Sequence, residues 1–185
     1  TGTVRPTRGH ATRTGRIAAI LELGMGFNPD LTGRQNVIHA AGLMGHELEQ
    51  IQKAMPEIEA FAEIGDYFDQ PVRTYSSGMQ ARLTFATAVS VSPDIFIVDE
   101  ALAAGDAYFV NKCLARMKEI CMSGATVFFV SHSTDIVRRL CSRALYISGG
   151  RLIGNGPAID ICALYESEVL ADASRKHLTM SASTG

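Results

Sequence analysis

Apolar residues along this chain fall into two kinds of run, short unbroken blocks and longer stretches with a helical repeat. "GRIAAILELG" (Gly15 to Gly24) is a block bounded by glycines and predicts a strand. "FNPDLTG" supplies turn residues and places a helix start at Thr32. The pattern is helical from Arg34 to about Gly65, with Pro56 expected in the first turn of a second or third helix, where its missing N–H costs nothing. "GDYFDQPVRTY" predicts an irregular connector. A helix beyond Gly78 carries Met79, Leu83, Phe85, Ala86 and Val89 on one broad face and has to end before Pro93.

The second half repeats the alternation. "DIFIVDEALAAGD" is a buried-type strand ending in two acids, and "AYFVNKCLARMKEICMSG" is a helix that stops at Gly124. "ATVFFVSHS" is a further apolar strand, followed by a short helix from Thr134 to Cys141. "RALYISGGRLIGNG" predicts a hairpin turning at Gly149–Gly150, and a closing helix from Ala158 frays into the tail. Strands alternating with helices imply an α/β fold, a mostly parallel sheet covered by helices on both faces. Residues 34–92 hold no strand and are expected as a helical subdomain inserted into a domain spanning 1–166, with 167–185 a tail or linker.

Composition narrows the class without naming it. The chain is 46% hydrophobic and 19% charged, as globular domains are, and its net charge of −2 gives no electrostatic footprint for nucleic acid. The basic stretch Arg5, Arg8, His10, Arg13 and Arg16 is expected as a solvated loop. Four cysteines form no C-x-x-C pair, three of them at apolar positions of apparent helices, which suits small core residues in a reducing compartment, and five histidines show no metal spacing. With no apolar run of membrane-spanning length and no signal peptide, a soluble cytoplasmic protein is expected.

Candidate chemistry gathers at element ends. In "YSSGMQARLTFA" a loop opens into a helix with Ser76, Ser77 and Gly78 at the junction, an arrangement that presents N–H groups and hydroxyls to a phosphate. No G-x-x-x-x-G-K-[ST] loop occurs in the 185 residues. Ligands of parallel sheets bind at the carboxyl ends of strands, where Asp99, Glu100, Ser131 and His132 lie. Asp99 and Glu100 point to opposite sides, so one can hold Mg²⁺ through water while the other orients an attacking water. Taken singly, a strand-terminal acid pair also reads as solvated, and a strand-terminal histidine as structural.

In order, "YSSGMQARL", "IFIVDE", "AAGD" and "VSHS" resemble the signature motif, Walker B strand, D-loop and switch-histidine loop of ABC transporter ATPases. "LELGMGFNPDLTGRQNV" and "VDEALAAGDAYFVNKC" resemble the branch that exports polysaccharides, O-antigen and teichoic acids. The resemblance covers about Gly15 to Tyr165 and implies a P-loop NTPase-like sheet with ATP and Mg²⁺ as ligands.

It implies that Asp99 positions Mg²⁺, Glu100 activates water and His132 holds the γ-phosphate. Ser76, Ser77 and Gly78 would meet ATP carried by a second copy in a head-to-tail dimer, and Asp106 would couple the two sites. Membrane-spanning permease subunits would dock around residues 27–45, at the cytoplasmic face of the membrane.

Two departures from the family pattern stand out. The glutamine before the insert is replaced near Leu23, with Glu22 the candidate for its work. Walker A is missing, and Gly2 to Ile17 resembles the segment that follows it, so the chain is expected to begin just past that loop and to be inactive alone. The closing stretch could equally lead to a carbohydrate-recognition domain or be a disordered end. A non-transport ABC ATPase and a non-hydrolytic regulatory module remain open as alternatives.

Overall fold

A computed structural model describes residues 4–12, 14–20, 26–90, 93–99 and 106–182. It divides into two compact units, Thr1–Val130 and Ser131–Gly185. In the first, strands β1 (Ile17–Ile20), β2 (Ile95–Asp99) and β3 (Thr126–Val130) form a parallel sheet in the order β1-β2-β3. Ile17 stands opposite Ile95, and Ile95 opposite Thr126. Between β1 and β2 lie helices α1 (Gly33–Leu43), α2 (Leu48–Ala62) and α3 (Ser77–Ser90), with two short 3-10 turns at Gly65–Asp69 and Val72–Thr74. Helix α4 (Ala107–Met122) then leads from β2 toward β3.

Helix α1 starts where its sequence says it should. Thr32 Oγ1 accepts the Gln35 N–H, and the Gln35 side chain takes the Thr32 N–H in return, a capping box that satisfies two orphan donors. The expected role of Pro56 is corrected: it lies well inside α2, which begins at Leu48 behind the cap residue Glu47. The buried stripe Ile51, Met55, Ile58 and Ala62 runs straight past it, so tertiary packing holds the helix through the proline. Gln52 and Pro56 are exposed, which leaves the carbonyl that Pro56 cannot serve close to water.

Helix α3 differs from its amphipathic reading. Ala81, Leu83, Phe85, Ala86, Thr87, Ala88 and Val89 are all buried, because α3 packs on α1 and α2 as well as on β1 and α4. An aromatic cluster fixes this junction. The Phe85 ring meets Phe61 of α2 at 6.0 Å, Phe96 of β2 at 6.2 Å and Phe109 of α4 at 6.3 Å between centroids. Phe128 and Val130 of β3 are about half exposed.

The second unit contains α5 (Thr134–Leu140), the antiparallel strands β4 (Arg143–Ser148) and β5 (Arg151–Pro157), and α6 (Ala158–Ala182). Gly149 (φ 54°) and Gly150 (φ 74°) make the tight turn between the strands, a conformation that excludes most side chains. With no glycine or proline after Pro157 until Gly185, nothing in the sequence interrupts α6, which runs to Ala182. Arg138 of α5 forms a two-pronged pair with Glu166 of α6, at 2.8 and 2.7 Å.

Candidate functional site

Asp99 closes β2 at the carboxyl end of the sheet, opposite Val130 of β3. The buried residues Phe96 and Val98 anchor the strand just before it, while Asp99 itself is half-buried. No group of three or more His, Cys, Asp or Glu that could hold a metal occurs among the described residues. A carboxylate at the end of a strand is a hard oxygen donor of the kind that Mg²⁺ takes alongside water. Glu100 and Glu22 lie outside the described residues.

The amino end of α3 is a capped and exposed helix terminus. Ser76 is its cap: Oγ accepts the Met79 N–H at 3.2 Å, and the carbonyl accepts the Gln80 N–H at 3.0 Å. The Ser76 hydroxyl proton remains to be donated elsewhere. Ser76 and Ser77 are exposed, Gly78 is half-buried, and Tyr75 immediately before them is buried.

Asp106 caps α4, with Oδ1 accepting the Phe109 N–H at 2.8 Å. Its Oδ2 takes Nη2 of Arg82, on α3, at 2.6 Å. The Phe109 amide and then the Arg82 guanidinium hold this carboxyl below the usual carboxylate range. Arg82 also reaches Glu63 at 3.5 Å and stacks 4.5 Å above the Phe109 ring. The structure therefore joins Asp106 to the helix that Ser76, Ser77 and Gly78 open. His132 belongs to the second unit, exposed in the turn between β3 and α5, where the Ser133 N–H donates to Ser131 Oγ at 3.0 Å.

Several residues that organise this region were not singled out from the sequence. Arg82 is one, and Asn36 is another. Asn36 is fully buried; its amide donates to the carbonyls of Asn28, Leu31 and Thr32 and accepts the Asn28 N–H at 2.7 Å. Its signal was a polar residue beside Val37 on the inward face of α1. Gly33 was legible too, as a glycine just after a helix cap, where an ordinary residue would serve.

A parallel sheet with helices between β1 and β2, a carboxylate ending its central strand and a serine-capped helix together describe an α/β domain. The chain belongs to the ABC transporter family, whose sequence pattern matches residues 2–103. It is 44% identical over 165 residues to an O-antigen export system ATP-binding protein of Klebsiella pneumoniae, covering 89% of this chain and 67% of that protein. It is 42% identical over 185 residues to an O-antigen export system ATP-binding protein of Myxococcus xanthus, covering 100% and 42%. A teichoic acids export ATP-binding protein of Bacillus cereus is 39% identical over 166 residues, covering 90% and 30%.

The chain thus spans about two thirds of the first relative and less of the others. The solved ATP-binding subunit of an ABC transporter superposes with a TM-score of 0.72 at 21% identity, covering 82% of this chain and 62% of that one, which establishes the fold. No described helix is long and apolar enough to cross a membrane.

Proposed function

We propose that the protein is the ATP-hydrolysing subunit of an exporter of polysaccharide or lipid-linked glycan, working at the cytoplasmic face of the membrane. The observation that supports this reading is a pair of polar element ends: Asp99 ends β2 and Ser76 caps the exposed amino end of α3. Relatives bearing glycan-export names, at about 40% identity, supply the substrate class.

Phosphoryl transfer asks the protein mainly for positioning and charge stabilisation. Mg²⁺, when bound, neutralises charge on the phosphate oxygens, and Asp99 is the residue that holds it. Glu100 orients the attacking water, and His132 contacts the γ-phosphate. Ser77, Gly78 and the free proton of the Ser76 hydroxyl meet the γ-phosphate of ATP held by a second copy of the protein. ATP bound from both sides closes the head-to-tail dimer, and loss of the γ-phosphate reopens it.

Asp106 couples the two sites, and Glu22 stands where nucleotide state is passed to the permease. Permease subunits dock on the insert, where Leu43 and Leu48 at the turn between α1 and α2 are 72% and 54% exposed.

The test is genetic complementation. Deleting the gene should leave glycan inside the cell, the intact gene should restore it to the surface, and Asp99→Asn should not. Surface glycan unaffected by the deletion sinks the export reading.

A further inference from the structure

We propose that Tyr75 is a positioning residue for the serine pair that follows it, its hydroxyl fastening the start of α3 to the Gly65–Asp69 turn and seated against the start of α1. The inference rests on the reading above, in which Ser76 and Ser77 meet phosphate. Tyr75 is 7% exposed, so its ring is core, yet its hydroxyl is not idle. It donates to the Tyr67 carbonyl at 2.6 Å and lies close against Gly33, the first residue of α1. A methyl group on Gly33 would overlap this hydroxyl and come within 2.9 Å of the Phe68 carbonyl, so glycine keeps the approach open.

The hydroxyl closes a wider lacing between the turn before α1 and the loop before α3. Val72 N–H donates to the Leu31 carbonyl and Arg73 N–H to the Pro29 carbonyl, both at 2.9 Å. Arg73 Nη1 reaches Asp30 at 2.7 Å, and Thr32 pairs with Pro71 in an isolated bridge. Asn36 pins the same turn from inside α1. Six residues of turn and six of loop are thereby one piece. A displacement of the 28–33 turn has to carry Ser76 and Ser77 with it. Tyr75 is the last link, since only one bond along the chain separates it from the first serine.

Tyr75→Phe removes the hydroxyl and keeps the ring. In the full-length gene product with MgATP, kcat should fall about tenfold with KM for ATP nearly unchanged, as expected for a small misplacement of a contact made in the transition state. The same change made on a Ser77→Ala background should cost little further, because the group being positioned is already gone. Equal losses on both backgrounds would assign Tyr75 to general stability and overturn the proposal. A second arm needs no ATP: amide exchange at Gly33 and at Ser77 to Met79 should quicken in Tyr75→Phe, and unchanged exchange there overturns the anchor. Wild-type protein without ATP turnover refutes the functional reading instead, and the exchange arm then decides the anchor alone.

Discussion

Arg82 and Asp106, 24 positions apart in sequence, meet at 2.6 Å and tie α3 to the first turn of α4. The Arg82 side chain is only 17% exposed, and Glu63, which ends α2 in a left-handed conformation (φ 50°), shares it. Arg82→Met keeps an apolar stem over Phe109 but removes the guanidinium. It should lower the thermal midpoint by several degrees at neutral pH. Because Asp106 has its carboxyl depressed in the fold, this advantage of wild type is full above the ordinary carboxylate range and disappears as pH falls through the depressed value. Scanning calorimetry of both proteins across pH checks this, and equal midpoints at pH 7 would refute it.

Glu166 gives a sharper pH expectation within the second unit. Arg138, then Thr134 at 2.6 Å, depress its carboxyl from 4.5 to about 2. The stabilisation is complete above about 4.5, where the unfolded chain is also ionised, and is lost as pH drops toward 2. Urea denaturation should show wild type more stable than Glu166→Gln at pH 6, with the gap closing over that window. A gap that stays constant down to pH 2 contradicts the assignment.

Asn36→Leu retains volume but removes four hydrogen bonds from a fully buried side chain and leaves the Asn28 N–H without its acceptor, while the Asn28, Leu31 and Thr32 carbonyls keep backbone donors. The loss should be about 1–3 kcal/mol in equilibrium unfolding. A change below roughly 0.5 kcal/mol would mean that water or the chain re-satisfies the Asn28 N–H.

Glu100→Gln in the full-length gene product should nearly abolish ATP turnover while ATP binding and an ATP-dependent dimer persist. Gel filtration with ATP and a steady-state phosphate assay separate the two effects. Normal turnover removes Glu100 from the chemistry.

The alternation of apolar blocks and helical repeats was enough to read the strand and helix order, down to the Thr32 cap and the Gly149–Gly150 turn. Pro56 was misplaced because a local rule about first turns was outweighed by the packing of Ile51, Met55 and Ile58 on either side. The all-round burial of α3 escaped for a related reason: its small residues, such as Ala81 and Ala88, are weak as a periodic signal and become informative only once two layers close on them. Ser76 and Asp99 could be placed at element ends from the sequence, whereas Asp106 entered only through the family resemblance. Arg82, Tyr75 and Asn36 were not legible, since what matters about each is a partner distant in sequence.

The cluster of Phe61, Phe85, Phe96 and Phe109 has an evolutionary corollary. The rings belong to four different elements and interlock edge to face or stacked, so their sizes are set jointly. A chimera whose borrowed α2 carries a different side chain at position 61 meets a mismatch against Phe85 and Phe109. Insert and sheet are therefore not interchangeable cassettes: viable grafts have to exchange all four positions together.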